Sequence, residues 1–255
     1  MQNQSSAKSA DQIARYFEAI SRLMSEVLHK QRGAMHEVAE LFAAAVERGN
    51  TIYITGCSHS SIFAQEVFYR AGGFMLMNPL FLPGMMLGTP PVTLTTRFER
   101  ISGIAEAVLS ESPIRADDVL IVASVSGRND VPVELALHAR EKGVKVVALT
   151  STIYSSQVRS RHASGQRLFE LADHVLDMMS PPGDAMLDME GLKERTAPSS
   201  TVIGVAMLHA VISQAIQLLL DRGVTPPVFM SANVDGADAF NRDMLAKYKN
   251  HIHYM

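Results

Sequence analysis

The chain has 255 residues, of which 47% are apolar and 19% charged, and 23 Lys+Arg against 26 Asp+Glu leave a net charge of −3. That is the balance of a globular protein, with enough chain for one large α/β domain or a domain plus an appendage. It provides no electrostatic footprint for nucleic acid, and the single cysteine, Cys57, excludes an intramolecular disulfide framework and a Cys-rich zinc module.

Met1 to Gln12 is polar, without the apolar core of a secretory signal, so the reducing cytoplasm is the expected compartment. From Asp11 onward, Ile13, Tyr16, Phe17, Ile20, Leu23, Met24, Val27 and Leu28 recur at three and four residues, which predicts a long amphipathic helix. Met35, Val38, Leu41, Phe42 and Val46 repeat the pattern and predict a second helix, with Gly33 between the two and Gly49 as its stop.

Short runs rich in β-branched residues then alternate with helical patterns. Strands are predicted at Thr51 to Thr55, Val119 to Ser124, Val144 to Thr150 and His174 to Leu176, with a weaker one at Phe74 to Met77. Helices are predicted at Ser60 to Ala71, Glu99 to Leu109, Val131 to Lys142 and Ser200 to Asp221, with a final helix from Asp238. The alternation means βαβ units, and the nearly all-apolar runs VLIVAS and VKVVALT read as central parallel strands covered on both faces. The expected fold is α/β, an open doubly wound sheet of five parallel strands. Asn78 to Pro91 and Ser180 to Pro198 hold most of the prolines and read as loops over the top of the sheet. Three parts are expected: a helical segment 1–50 for packing or dimerisation, a ligand-binding domain 51–222, and a C-terminal loop and helix 223–255.

Val202 to Leu220 approaches the length that spans a bilayer. His209, Ser213, Gln214 and Gln217 interrupt it, so it reads as a helix buried in the core and against another subunit, and no membrane partner is expected.

In an open α/β sheet ligands sit outside the carboxyl ends of the strands. The residues there are hydroxyl-rich: Thr55-Gly56-Cys57-Ser58-His59-Ser60-Ser61, Ser124-Val125-Ser126-Gly127-Arg128-Asn129 and Thr150-Ser151-Thr152. A Ser/Gly loop opening a helix offers a phosphate several donors at once, namely hydroxyls, free backbone N–H groups and the positive end of the helix dipole. Ser and Thr are equally the ordinary caps and turn formers; convergence of three such loops favours the phosphate. The chain has neither G-x-x-x-x-G-K-[ST] nor a G-x-G-x-x-G after a strand, which leaves a phosphate without a nucleotide.

The loop Ser124-x-Ser126-Gly127-Arg128-Asn129 opening a helix resembles the phosphosugar-binding signature of the SIS (sugar isomerase) family, and Gly56-Cys57-Ser58-x-Ser60 lies where that family places its first loop. Phe68 to Gly73, Ser160 to Gly165, Gly183-Asp184-Ala185, Pro198 to Thr201 and Ser231 to Gly236 are similar to a stand-alone bacterial branch of the family, phosphosugar-binding or isomerase-like and of unassigned reaction. The resemblance implies a flavodoxin-like three-layer α-β-α sandwich, a homodimer or homotetramer, and a sugar-phosphate pocket completed at a subunit interface.

It further implies that Ser58, Ser60, Ser124, Ser126 and Thr201 hold the phosphate, with Gly56, Gly127 and Asn129 in the same loops. The family's isomerases move a proton between C1 and C2 of an open-chain sugar phosphate through an enediol, with a Glu as base and no cofactor. Glu99, read as the start of a helix, is the candidate base, against its reading as a solvated carboxylate at a helix N-terminus. His59 could contact a phosphate or polarise a carbonyl, or simply bond backbone. His209 reads as a core histidine that could instead reach a neighbouring subunit's site, and His162 as exposed. Cys57-x-His59 and His251-x-His253 have no partner pair at a familiar spacing, so no metal is expected. The methionines, such as Met85, Met86, Met178 and Met179, read as packing or a mobile rim.

The expected activity is aldose–ketose isomerisation of a sugar phosphate. The alternatives are elimination by a lyase or etherase, which begins with the same proton abstraction, and a non-catalytic sugar-phosphate sensor.

Overall fold

A computed structural model describes residues 11–255; the polar start of the chain, Met1 to Ala10, lies outside them. The first element is one helix, α1 (Gln12–Glu47), 36 residues long and capped by Asp11, whose Oδ1 accepts from the N–H groups of Ile13 at 3.0 Å and Ala14 at 3.2 Å. The two helices expected on either side of Gly33 are therefore one. An interior glycine costs only about 1 kcal/mol relative to alanine, and the turns flanking Gly33 bury Val27, Met35, Val38 and Phe42 in the core.

The chain continues through β1 (Ile52–Gly56), α2 (Ser61–Val67), β2 (Met77–Pro79), α3 (Thr93–Phe98), α4 (Ile104–Glu111), β3 (Val119–Ala123), α5 (Asp130–Glu141), β4 (Lys145–Thr150), α6 (Thr152–Ser155), α7 (Leu168–Leu171), β5 (His174–Asp177), β6 (Ala185–Leu187), β7 (Thr196–Pro198), α8 (Ser200–Asp221) and α9 (Ala237–Lys247). Five strands form one parallel sheet in the order β2-β1-β3-β4-β5. Alternate side chains of the central strands enter opposite layers. Ile52, Ile54, Val119, Ile121, Val147 and Leu149 pack under α1, α2 and α8, whereas Tyr53, Leu120, Val122, Val146 and Ala148 pack under α4, α5 and α7. Each such side chain taken from water contributes roughly 1.5–3 kcal/mol, which makes the sheet the rigid platform for whatever its rim carries. This is the three-layer α/β sandwich expected.

Boundaries moved where turn geometry overrode pattern. The expected helix Glu99 to Leu109 is two helices, α3 and α4, separated at Gly103, whose φ of +88° no helix accepts. Glu99 thus ends α3 rather than starting a helix. The helix expected over Ser60 to Ala71 stops at Val67 because Phe68 turns extended, at φ −102° and ψ 156°, and Tyr69 follows at φ +41°. The Ser180 to Pro198 loop contains an antiparallel ribbon of β6 and β7, with Ala185 opposite Pro198 and Leu187 opposite Thr196.

The apolar helix α8 lies in the sandwich, burying Ile203, Met207, Leu208, Val211, Ile212, Ala215 and Leu219. It packs chiefly along α1, and Arg222 beyond its end pairs with Glu40 and Glu47. The C-terminal segment returns to the outer edge of the sheet. Gly72 N–H donates to Phe229 O and Phe229 N–H to Gly73 O, both at 2.9 Å. Asn78 then clamps the tail, donating to His251 O at 3.0 Å and accepting from His253 N–H at 2.7 Å. An edge strand covered in this way offers no unpaired ladder.

Candidate functional site

The carboxyl ends of β1 and β3 lie side by side, Gly56 being in register with Ala123. After β1 the backbone turns so tightly that a Cβ on Gly56 would stand 2.4 Å from Ser60 O. Ser58 takes a left-handed φ of +50°, its N–H donating to Met85 O at 2.7 Å, while its carbonyl accepts from Ser61 Oγ at 2.7 Å. After β3, Gly127 has φ +57° and no room for a side chain, since a Cβ would meet Leu168 Cβ at 3.1 Å. Its N–H donates to Ser124 Oγ at 3.3 Å. Both loops are thereby fixed by glycine geometry.

The hydroxyls after β4, expected to join them, are consumed internally. Thr150 Oγ1 donates to Val125 O at 3.1 Å and Ser151 Oγ to Ser180 O at 2.6 Å, and Thr152 bonds Asp177. Thr150 braces the loop after β3, and Ser151 and Thr152 brace the end of β5 and the residues that follow it, rather than offering donors to a ligand.

Among the described residues, four buried side-chain polar atoms have no hydrogen-bond partner: Tyr53 OH, Ser58 Oγ, Arg128 Nε and Ser155 Oγ. Ser58 and Arg128 belong to the two loops, and Ser155 Oγ lies 3.5 Å from where a Cβ on Gly127 would be. Buried polar atoms are nearly always satisfied, so three exceptions along one rim mark a place built for something else to bond.

A cavity of about 280 Å³ adjoins the two loops through Ser60 and Val125 without reaching the three unpartnered atoms; it is lined by His59, Ser60, Phe63, Val125, Gly183, Asp184, Pro198, Ser200 and Thr201. It brings together three of the residues singled out from sequence, His59, Ser60 and Thr201. Gly56, Ser58, Ser124, Ser126, Gly127 and Asn129 lie in the adjoining loops but do not line it.

Glu99 forms a second group beside these loops. Burial pushes its carboxyl above the usual carboxylate range, and a hydrogen bond from Asn129 with the charges of Arg100 and Arg161 pulls it part of the way back. Arg161 Nη1 donates to Asn129 Oδ1 at 2.6 Å. On the other side stands the buried Cys57, whose thiol is raised by burial and then by the negative charge of Glu99. Glu99 therefore joins the ends of both loops, although it does not line the cavity.

Two further charged groups, Asp184 and Glu66, are not among the residues that the sequence singles out as a site. Asp184 was seen only as part of a turn; its carboxylate accepts from the N–H groups of Ser199 at 3.1 Å and Ser200 at 2.8 Å, and from both hydroxyls. The sequence carries no signal for this, because the ribbon that sets Asp184 next to the start of α8 is made of two strands of only three residues each. Glu66 stands on α2. Its Oε1 lies 3.3 Å from His209 Nε2 and pairs with Arg70, and the spacing of Glu66 and Arg70 by one helical turn was the available signal. His209 is half-buried rather than a core residue, and its pKa is lowered first by burial and then by Arg70. His162 is largely buried, with Nε2 3.8 Å from Glu134 Oε1, because the loop carrying it folds over α5. Among the described residues no group of three or more His, Cys, Asp or Glu side chains could hold a metal ion.

Comparison with known proteins gives the chain relatives in sequence and in fold. The SIS domain family matches residues 15–151. A UPF0309 protein of Shouchella clausii is 41% identical over 95% of this chain and 99% of its own length, and one of Streptomyces coelicolor is 42% identical over 94% and 96%. In fold the chain is similar to a phosphoheptose isomerase from Francisella tularensis, with a TM-score of 0.54 and 19% identity over 82% of this chain and 98% of the other. The phosphoheptose isomerase of Neisseria gonorrhoeae gives a TM-score of 0.51 at 19% identity, over 81% and 97%.

Proposed function

The chain belongs to the SIS domain family, as one of the UPF0309 proteins, and from that membership and the chemistry of its rim we propose that it binds a phosphorylated sugar and interconverts its aldose and ketose forms. The observation that carries the reading is the set of unpartnered polar atoms at the ends of β1 and β3, Ser58 Oγ, Arg128 Nε and Ser155 Oγ, beside a cavity walled by His59, Ser60 and Thr201. In this reading Ser58, Ser60, Ser124 and Ser126, with the backbone around Gly56 and Gly127, hold the phosphate. Asn129 positions the carboxylate of Glu99; Thr201, which the resemblance gives to the phosphate, is read instead with His59 as facing the sugar carbons, because it lines the cavity rather than the two loops.

Isomerisation moves one proton between C1 and C2 through an enediol and needs no cofactor. A carboxylate pushed above its usual range suits the task better than an ordinary one, since a base works best with a pKa near the working pH. Burial pushes Glu99 in that direction, and in this reading His59, which lines the cavity, polarises the carbonyl. The 3.3 Å pair of Glu66 and His209 favours a second reading, in which that pair handles the proton. A homodimer or homotetramer in the cytoplasm completes the proposal. Ile13, Phe17 and Leu28, exposed along α1, support self-association.

The experiment is a thermal-shift screen against pentose, hexose, heptose and N-acetylhexosamine phosphates, with free sugars and inorganic phosphate as controls. Ligand at 100 times its Kd adds about 2.7 kcal/mol of stability. The ligand found is then followed by NMR in deuterated water, where exchange at C1 or C2 with aldose–ketose conversion marks the isomerase. Exchange with loss of a substituent marks the lyase or etherase, and binding without exchange marks the sensor. No shift with any phosphorylated sugar overturns the reading.

A further inference from the structure

The cavity has an electrostatic character that its hydroxyls conceal. Of the nine residues lining it, Asp184 is the only carboxylate, His59 is the only other titratable side chain, and no Lys or Arg is present. The basic residues of this rim, Arg100, Arg128 and Arg161, gather instead around Glu99 and the loop after β3.

Asp184 is held in place from three directions. The ribbon pairs Ala185 with Pro198, which brings the residue before β6 against the residues after β7. Oδ1 accepts three bonds, from Ser199 N–H at 3.1 Å, Ser199 Oγ at 2.9 Å and Ser200 N–H at 2.8 Å, while Oδ2 accepts one, from Ser200 Oγ. The turn supplying it is left-handed at two successive residues, Gly183 at φ +79° and Asp184 at φ +55°, a conformation that persists for a non-glycine residue only where the surroundings impose it.

The carboxylate therefore fills the positive end of α8, where an anionic ligand would otherwise be attracted, and the cavity keeps a fixed negative wall. Each oxygen of an ionised carboxylate has about two acceptor positions; Oδ1 is fully used, and Oδ2, which accepts a single bond, keeps capacity for a further donor. A second anion brought into this space would meet like charge with no cation to offset it, whereas a hydroxyl would find an acceptor.

The geometry points to Asp184 as a specificity-determining residue: the cavity takes the neutral, hydroxyl-bearing carbons of the ligand and rejects sugar phosphates carrying a second negative group at that end. This rests on the sugar-phosphate reading and adds to it which end of the ligand lies against α8. The substrate class narrows to monophosphates of neutral sugars, to the exclusion of phosphorylated sugar acids and bisphosphates.

The test is calorimetric binding at fixed ionic strength of paired probes differing in one charge, glucose 6-phosphate with 6-phosphogluconate and the matching five- and seven-carbon pairs, to the wild type and to Asp184→Asn. The wild type should prefer the neutral-headed member of the pair it binds by about tenfold or more, and the variant should reduce that preference to within about threefold, chiefly by binding the acid better. A wild type that binds both members equally overturns the inference without recourse to any variant. An Asp184→Asn protein that is folded and discriminates as the wild type does also overturns it and leaves Asp184 a helix cap. If neither member of any pair binds the wild type, the sugar-phosphate reading falls and this inference with it.

Discussion

Glu66 on α2 and His209 on α8 meet across the groove between the two helices, Oε1 to Nε2 at 3.3 Å, with Arg70 pairing to the same carboxylate. Two carboxylates therefore compete for the role of base, and substitution separates them. If Glu99 is the base, Glu99→Gln should lower kcat by about 10²–10⁴ and leave the Kd for sugar phosphate within about threefold, while Glu66→Gln keeps most of the activity. The opposite pattern in steady-state kinetics and calorimetry assigns the proton to Glu66 and His209.

The pH profile offers an independent check on Glu99. Burial favours its neutral form, so a base at this position gives kcat/KM an ascending limb displaced above the usual carboxylate range. Loss of Asn129 should move the limb further up, because its hydrogen bond favours the charged form. A rate profile of Asn129→Ala unshifted from wild type would remove Glu99 from the chemistry.

His209 links the groove to stability. Its pKa is lowered in the fold by burial and by Arg70, so the unfolded chain takes up the proton first as pH falls. Its contribution is complete above the ordinary histidine value of about 6.5 and is lost below it, as pH falls toward the lowered folded value. Urea denaturation from pH 7.5 to 5 should show this loss, and His209→Asn should flatten it.

Gly56 is the tightest point of the first loop. In Gly56→Ala the new methyl group has backbone, Ser60 O, at 2.4 Å, which cannot rotate away. The expected cost is roughly 1–3 kcal/mol, with loss of ligand affinity because the displaced segment carries Ser58 and Ser60. Thermal denaturation and the ligand screen read the two effects separately.

The phosphate assignment predicts a uniform effect. Ser60→Ala combined with Ser126→Ala should weaken every phosphorylated sugar alike, by about tenfold or more, since each lost bond to a charged group is worth roughly 1.5–3 kcal/mol. Equal binding of the free sugar by the wild type would contradict it.

The sheet was legible because buried parallel strands are apolar at nearly every position and glycine or proline punctuates them; β3, β4, α5 and α8 lie within a residue or so of expectation. What the pattern could not carry was long-range pairing. Gly33 reads as a break until Val27, Met35 and Val38 are seen held by α8. Thr150, Ser151 and Thr152 read as ligand donors until Val125, Ser180 and Asp177 are seen receiving them. The cavity depended on Asp184 and Ser200, 16 residues apart, coming together through a ribbon of two three-residue strands too short to register as alternation. Glu66 and His209, 143 positions apart, leave no signature as a pair, only the one-turn spacing of Glu66 and Arg70.

Helix α1 is the first element described and α8 the last of the sandwich, yet each supplies much of the other's apolar cover. During synthesis, residues 12–47 must wait for residues 200–221, which at roughly 5–20 residues per second is on the order of ten seconds or more. Throughout that interval Leu23, Val27, Met35 and Phe42 form an uncovered greasy stripe on the nascent chain. The feature that closes the finished sandwich is thus the one that exposes the growing polypeptide to chaperones and to neighbouring copies on the same messenger, where two such stripes could find each other before either finds its own α8.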